Sequence, residues 1–380
     1  MQLLKRRIKH FFVYLKQKKV LFKMISSSYL ALPVNLIVAV FTYRLIDPYF
    51  MGIWATMIVF ETYANALRLG IVNGMNRELP YAMGSGNEKD AIAYAQTTLA
   101  YNLITIIPLW IIVPFILFKF ELNQTYLTCI FVNIIRVSLS FYTTYVAGTF
   151  RTTENFNKLS NIQFIMIAAH LLFSPLIYFF NFNGYLFMQL LLAVLNALLL
   201  HIYRPFKISP KFNRKIFVIL FKTGFPLFVT SYLVQFIDTI PRLFIINYGN
   251  ETLLGIFSPA ILMITSFALL PNSLSTYYYP KLSYQFGKTG DANMLFKQLL
   301  KIYVVSFFVF IPFIILAYLF IDDILVYFPK YKASAPYIKI CLLVVPFVLA
   351  KLGNLINVVL KKVKFMAIYA AIYCHKLYFF

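Results

Sequence analysis

The stretch QFIDTIPRLFI, residues 235–245, lies inside an apolar run long enough to cross a membrane, yet it carries an aspartate and an arginine four residues apart. If the run is a membrane helix, these charges sit at membrane depth and must face a partner or water. The rest of the chain says that it is one. Of its 380 residues, 61% are hydrophobic and only 12% are charged, whereas soluble domains carry about 25% charged residues. Apolar runs recur near 24–43, 49–71, 92–118, 125–147, 160–180 and 185–203. They continue near 223–246, 253–277, 302–320 and 336–359, with a short last run from 365 to the end. About 20 apolar residues span a hydrocarbon core as a helix. The expected fold class is therefore an all-α polytopic membrane protein, and a soluble core is excluded.

Lys and Arg number 35 against 12 Asp and Glu, a formal net charge of +23. Such an excess elsewhere points to nucleic acid; here topology explains it. With the N-terminus inside, 25 basic residues fall in inward connections, eight of them in 1–23, and only Arg44, Lys119, Lys330 and Lys332 fall outside. The positive-inside rule then places the N-terminus in the cytoplasm. Residues 1–23 read as a basic cytoplasmic or interfacial lead-in without a cleavable signal peptide. The basic stretch 204–222 reads as a linker between a six-helix bundle over 24–203 and a second bundle over 223–380. Both basic segments are expected to meet anionic lipid headgroups.

A repeat supports two halves. LPYAMGSGNEKDA (79–91) and YPKLSYQFGKTGDAN (279–293), each read as a loop after a span, share a proline followed by a Gly-rich turn and Asp-Ala. Upstream, Arg44 with Gly52-Ile53-Trp54 is echoed by Arg242 with Gly255-Ile256-Phe257. Parallel repeats of this kind build central sites in transporters.

Polar residues inside the spans recur at steps of three and four, which keeps them on one helix face. Glu61, Asn65 and Arg68 form one stripe, Asn133, Arg136 and Ser140 a second, and Ser231, Gln235, Asp238 and Arg242 a third. The spans also hold Lys339 and Lys351, so five cations oppose Glu61 and Asp238. A cavity lined by guanidinium groups suits a phosphate or pyrophosphate, because Arg offers a charged bidentate fork. Arg68, Arg136, Arg242 and Lys351 are the expected phosphate contacts. Glu61 and Asp238 either neutralise the arginines or carry a coupling proton or Na⁺. Pro226 and Pro241 fall where a helix hinge would serve alternating access.

Enzyme and metal signatures fail. The fragment GKT (287–289) lacks the upstream glycine of a phosphate loop, since Leu282 stands there, and neither GxSxG nor HExxH occurs. The four histidines have no metal-ligand spacing, and Cys129, Cys341 and Cys374 read as packing residues. No catalytic residue, metal, cofactor or nucleic-acid partner is called for.

RLIDPYFMGIWATM (44–57) followed by LRLGIVNGMNRELPYAMGSGN (67–87) resembles the start of oligosaccharide-lipid flippases and polysaccharide exporters of the multidrug, oligosaccharidyl-lipid and polysaccharide (MOP) exporter superfamily. The resemblance implies two pseudo-symmetric bundles in a MATE-like fold around a central cationic cavity. It implies a bacterial cytoplasmic-membrane flippase that moves an undecaprenyl-pyrophosphate-linked repeat unit outward by alternating access, for O-antigen, capsule or exopolysaccharide. A proton or Na⁺ gradient is its expected drive, and other polysaccharide-assembly membrane proteins its expected partners. Members have twelve or fourteen helices, so a chain of about six plus five is expected to be incomplete. Two rivals stand beside this reading. A multidrug antiporter of the same superfamily would favour acidic cavities, and a membrane polymerase or glycosyltransferase would need a large catalytic outer loop.

Overall fold

The structure, a computed structural model, describes residues 23, 26, 30–111, 123–153, 155–237, 239–289 and 291–349. Asp238, Lys351 and Cys374 lie outside them. The described residues are helical, with no strand among them. The first bundle contains α1 (Leu30–Leu45), α2 (Pro48–Asn65), α3 (Ile71–Gly84), α4 (Glu88–Ile104), α5 (Gln124–Thr152), α6 (Phe156–Phe173) and α7 (Pro175–Tyr203). The second contains α8 (Arg214–Ile237), α9 (Ile240–Tyr248), α10 (Glu251–Thr289), α11 (Ala292–Val326) and α12 (Ala335–Leu349). Five of these helices are long and apolar enough to cross a membrane, and the protein is a multi-pass membrane protein. The end bearing Asp47, Asn123 and Asn250 is called upper here, and that bearing Gly84, Thr152 and Tyr203 lower.

Several boundaries differ from the sequence expectation, always for a local reason. The second span runs to Gly84, so 79–84 is helix and only 85–87 turns; likewise 279–289 belongs to α10. Pro80 sits within α3 without ending it, because a membrane helix tolerates a lost donor when its neighbours cover the carbonyl. The break falls earlier instead. After a 3₁₀ turn over Ala66–Arg68, Leu69 (φ 46°) and Gly70 (φ 76°) are both left-handed, and Leu in that region costs about 1–2 kcal/mol. The span expected over 160–180 ends at Phe173, where Pro175 opens α7, and α7 is itself interrupted at Asn181 (φ 50°, ψ −126°). Helix α8 already starts at Arg214, capped by Asn213, so the non-helical linker shrinks to 204–213.

The repeat is written into the caps. Asp47 accepts from Tyr49 N–H (3.1 Å) to start α2, and Asn250 accepts from Leu253 N–H (2.8 Å) to start α10. Asn87 accepts from Asp90 N–H (3.3 Å) to start α4, and Asp291 accepts from Asn293 and Met294 N–H (2.8 and 3.2 Å) to start α11. Each satisfies orphan donors at a helix start. Asn123 caps α5 in the same way, accepting from Tyr126 N–H at 3.0 Å.

Two seams join the bundles. At the upper end α2 crosses α10 so closely that a Cβ on Gly52 would lie 1.7 Å from the Glu251 carbonyl oxygen, and one on Gly255 1.7 Å from that of Pro48. The two echoed glycines thus touch each other's helix, as a pseudo-two-fold axis requires. Tyr126 donates to Glu251 Oε1 (2.5 Å), and fully buried Tyr331 donates to the Ile46 carbonyl (3.2 Å) across the same seam. Below, α3 crosses α8, where Cβ atoms on Gly74 and Gly224 would meet backbone oxygens at 2.2 and 2.0 Å. Small residues let membrane helices approach to backbone contact.

The apolar core follows the bundles. One cluster around Ile53, Trp54, Cys129 and Met188 fills the upper part of the first, another around Ile71, Met75, Leu79 and Phe150 its lower part. A third, around Ile321, Cys341 and Leu342, fills the second bundle. Cys129 and Cys341 are buried and free.

Candidate functional site

Between the seams lies a cavity of about 200 Å³ shared by the two bundles. Asn65, Arg68 and Asn73 enter it from the broken α2–α3 helix, and Ser231, Tyr232 and Gln235 from α8. The break makes the site. Unwinding over 66–70 releases the Leu67 carbonyl, which Tyr101 captures through its hydroxyl at 2.8 Å, and turns Arg68 into the gap between bundles. The Arg68 guanidinium lies 4.6 Å over the Phe141 ring and donates through Nη2 to Ser140 Oγ at 2.9 Å. Its Nε is buried without a hydrogen-bond partner, and so is Asn65 Oδ1. Buried polar groups are nearly always satisfied, so these two mark a place for a polar guest. Among the described residues that line this cavity, Arg68 is the one full charge and no carboxylate appears.

A second cavity, of about 240 Å³, lies within the first bundle. Its polar lining comprises Glu61 from α2, Arg136, Ser140 and Thr143 from α5, and Gln189 and Asn196 from α7. Arg136 Nη1 and Glu61 Oε2 are 3.5 Å apart. The same guanidinium sits 4.9 Å over Trp54 and donates to Asn133 Oδ1 (3.2 Å), while Asn133 donates to the Met57 carbonyl (3.0 Å). The pair is thus locked in place and its charges cancel.

The three expected stripes are divided by the fold. Asn65, Arg68, Ser231 and Gln235 meet in the shared cavity, whereas Glu61, Arg136 and Ser140 face the inner one, with Asn133 behind them. Ser140 belongs to both, since it lines the inner cavity and accepts from Arg68. Arg242 stands on α9 within electrostatic reach of Tyr43 and is in neither of these two linings. Thr239 bonds back to the Gln235 carbonyl (3.0 Å), and α9 starts with Pro241 in its first turn, so the third stripe passes from α8 to α9. Pro226 lies within α8 with an exposed side chain. Lys339 pairs with Asp322 on the neighbouring helix at 2.6 Å. Sequence reasoning missed Asn73, Thr143, Thr144, Gln189 and Asn196. Gln189 and Asn196 carried a signal, being seven residues apart on an apolar helix and hence on one face.

A helix broken within an apolar run, with polar atoms turned into a cavity between two related bundles, is an arrangement that secondary transporters use. No family model matches the chain, and no curated protein matches its sequence. Solved structures do. An outward-facing MATE family multidrug-resistance transporter of the MOP superfamily aligns at TM-score 0.68 and 14% identity, over 93% of this chain and 84% of that one. Its inward-facing counterpart aligns at 0.63 and 15%, over 93% and 86%. A MOP superfamily transporter from Pyrococcus furiosus, described as having a binding pocket of reversed polarity that suggests a different function, aligns at 0.66 and 16%, over 93% and 85%. At such identities the likeness is one of fold: the chain has the pseudo-symmetric, two-bundle MATE fold.

Proposed function

We propose that the protein is a transporter that flips a lipid-linked oligosaccharide across the bacterial cytoplasmic membrane, with its lower end toward the cytoplasm. The observation that carries this reading is the charge of the shared cavity. Arg68 is held there with an unpartnered Nε and no carboxylate among the described lining residues. Such a site attracts a phosphate or pyrophosphate, since a guanidinium forks onto phosphate oxygens and strengthens in a water-poor setting. It repels the organic cations that a multidrug antiporter would carry. The reversed pocket polarity described for the Pyrococcus furiosus transporter, which suggests a different function for that protein, is a precedent for the same fold with altered pocket charge. Arg68, rather than Arg242, is the principal anion contact, and Asn65, Asn73 and Gln235 supply neutral hydrogen bonds. The one described acid at the inner cavity, Glu61, is engaged by Arg136; its role is charge neutralisation, and a proton or Na⁺ gradient acts elsewhere.

The test is reconstitution in liposomes with a fluorescent prenyl-pyrophosphoryl oligosaccharide. Flipping is expected with the natural chain, a loss of at least about tenfold with Arg68→Ala, and partial activity with Arg68→Lys, which keeps the charge but loses the fork. Wild-type flipping by Arg68→Ala, or efflux of ethidium in place of flipping, would overturn the reading.

A further inference from the structure

We propose that the cavity inside the first bundle is a saccharide subsite, which receives the first sugar of the lipid-linked substrate while its pyrophosphate rests on Arg68. This rests on the function proposed above. The two cavities differ in charge and share a wall. The shared cavity is cationic, whereas the inner one is neutralised by the Glu61–Arg136 pair and still dense in hydrogen-bonding groups. Glu61 offers acceptors, the amides of Gln189 and Asn196 offer both donors and acceptors, and Arg136 offers donors. The Thr143 hydroxyl donates to the Ser140 carbonyl (3.3 Å), which leaves its oxygen as an acceptor, while the Ser140 hydroxyl donates to the Val137 carbonyl (2.8 Å) and already accepts from Arg68.

Adjacent hydroxyls on a sugar ring each donate and accept, and they pair with such a mixed set. A phosphate would have to displace Glu61, and a hydrophobic cation would leave the amides unsatisfied. Leu139, Met166, Leu192 and Ala193 supply the apolar remainder of the lining for the ring's C–H faces. The volume of about 240 Å³ falls below the range in which drug-sized pockets begin, so the site fits one ring and not a chain of them.

The relation of the two cavities matches the covalent structure of the substrate. In a pyrophosphate-linked saccharide the phosphate is bonded directly to the first sugar, so their sites must be neighbours. Here Ser140 lines the sugar cavity and holds the Arg68 guanidinium, and Thr143 and Thr144 on α5 face the inner and the shared cavity in turn. The separation is one side chain thick.

Binding is measured on the purified full-length protein by the fluorescence of Trp54, whose ring lies under Arg136 at 4.9 Å. The only other tryptophan, Trp110, is replaced by Phe. The probes are citronellyl pyrophosphate and the same lipid carrying one glucose, galactose or N-acetylglucosamine. At least one sugar-bearing probe is expected to bind about tenfold more tightly than the bare pyrophosphate, the gain that a few good neutral hydrogen bonds give. Asn196→Leu, and separately the isosteric Gln189→Met, should erase that gain while leaving citronellyl pyrophosphate binding unchanged. Arg68→Gln should weaken every probe alike. A gain that survives both α7 substitutions, or no gain from any of the three sugars, overturns the subsite. Failure of citronellyl pyrophosphate itself to bind, or its indifference to Arg68→Gln, overturns the flippase reading instead.

Discussion

Substituting Gly52 by Ala should open the upper seam. The added Cβ would lie 1.7 Å from the Glu251 carbonyl oxygen, 2.5 Å from its carbon and 2.9 Å from its Cα, where an ordinary contact needs 3.4 Å or more. All three atoms are backbone, so no side chain can swing aside and α2 and α10 must part by well over an ångström. Overpacking of this kind costs about 1–3 kcal/mol. The penalty applies only to conformations in which the two helices touch, so it shifts the population toward seam-open states by about 5- to 150-fold. Gly255→Ala, whose Cβ would lie 1.7 Å from the Pro48 carbonyl oxygen, should do the same from the other side. Gly84→Ala is the control, since nothing lies within 4 Å of its Cβ. Spin labels at Tyr178→Cys and Tyr248→Cys, 65% and 85% exposed in the first and second bundles, report the upper opening by electron–electron distance measurement. The native Cys129, Cys341 and Cys374 are replaced by Ala for this purpose. Gly52→Ala and Gly255→Ala should each enrich the longer distances. A Gly52→Ala distribution and melting curve identical to those of Gly84→Ala would refute the reasoning.

Other expectations follow from single contacts. Glu61→Gln strands the Arg136 charge and should lower stability by about 1–3 kcal/mol, whereas the double variant Glu61→Gln/Arg136→Met should recover most of that loss in thermal unfolding; equal losses would deny the coupling. Tyr101→Phe removes the donor that satisfies Leu67 at the helix break and should cost about 1–3 kcal/mol, with faster amide exchange confined to 66–70. Asn250→Ala and Asp47→Ala should each cost about 1 kcal/mol, as equivalent caps on α10 and α2. The exposed Lys339–Asp322 pair should leave the melting temperature unchanged when Asp322→Asn breaks it.

The sequence by itself determined that this chain crosses a membrane many times and has two related halves, because hydropathy and chain spacing are local properties that burial in lipid makes unavoidable. It also singled out Glu61, Asn65, Arg68, Arg136, Ser140, Ser231 and Gln235, since a polar residue within an apolar run is conspicuous wherever it ends up. Periodicity could not say which stripes share a cavity. Arg68 and Glu61 lie on one expected face, yet the left-handed residues Leu69 and Gly70 unwind the helix there and turn Arg68 toward α8, while Glu61 stays inside the first bundle with Arg136. Asp238 and Arg242 of QFIDTIPRLFI raised the first question, but Asp238 lies outside the described residues, and Arg242 stands on α9 in the lining of neither cavity described. Gly52 and Gly255 were visible as an echo, but their contact depends on two helices about 200 residues apart in sequence meeting backbone to backbone. Helix breaks and close crossings depend on what neighbouring helices supply, such as the Tyr101 hydroxyl or a glycine's missing Cβ, and for that reason only the tertiary structure decided them.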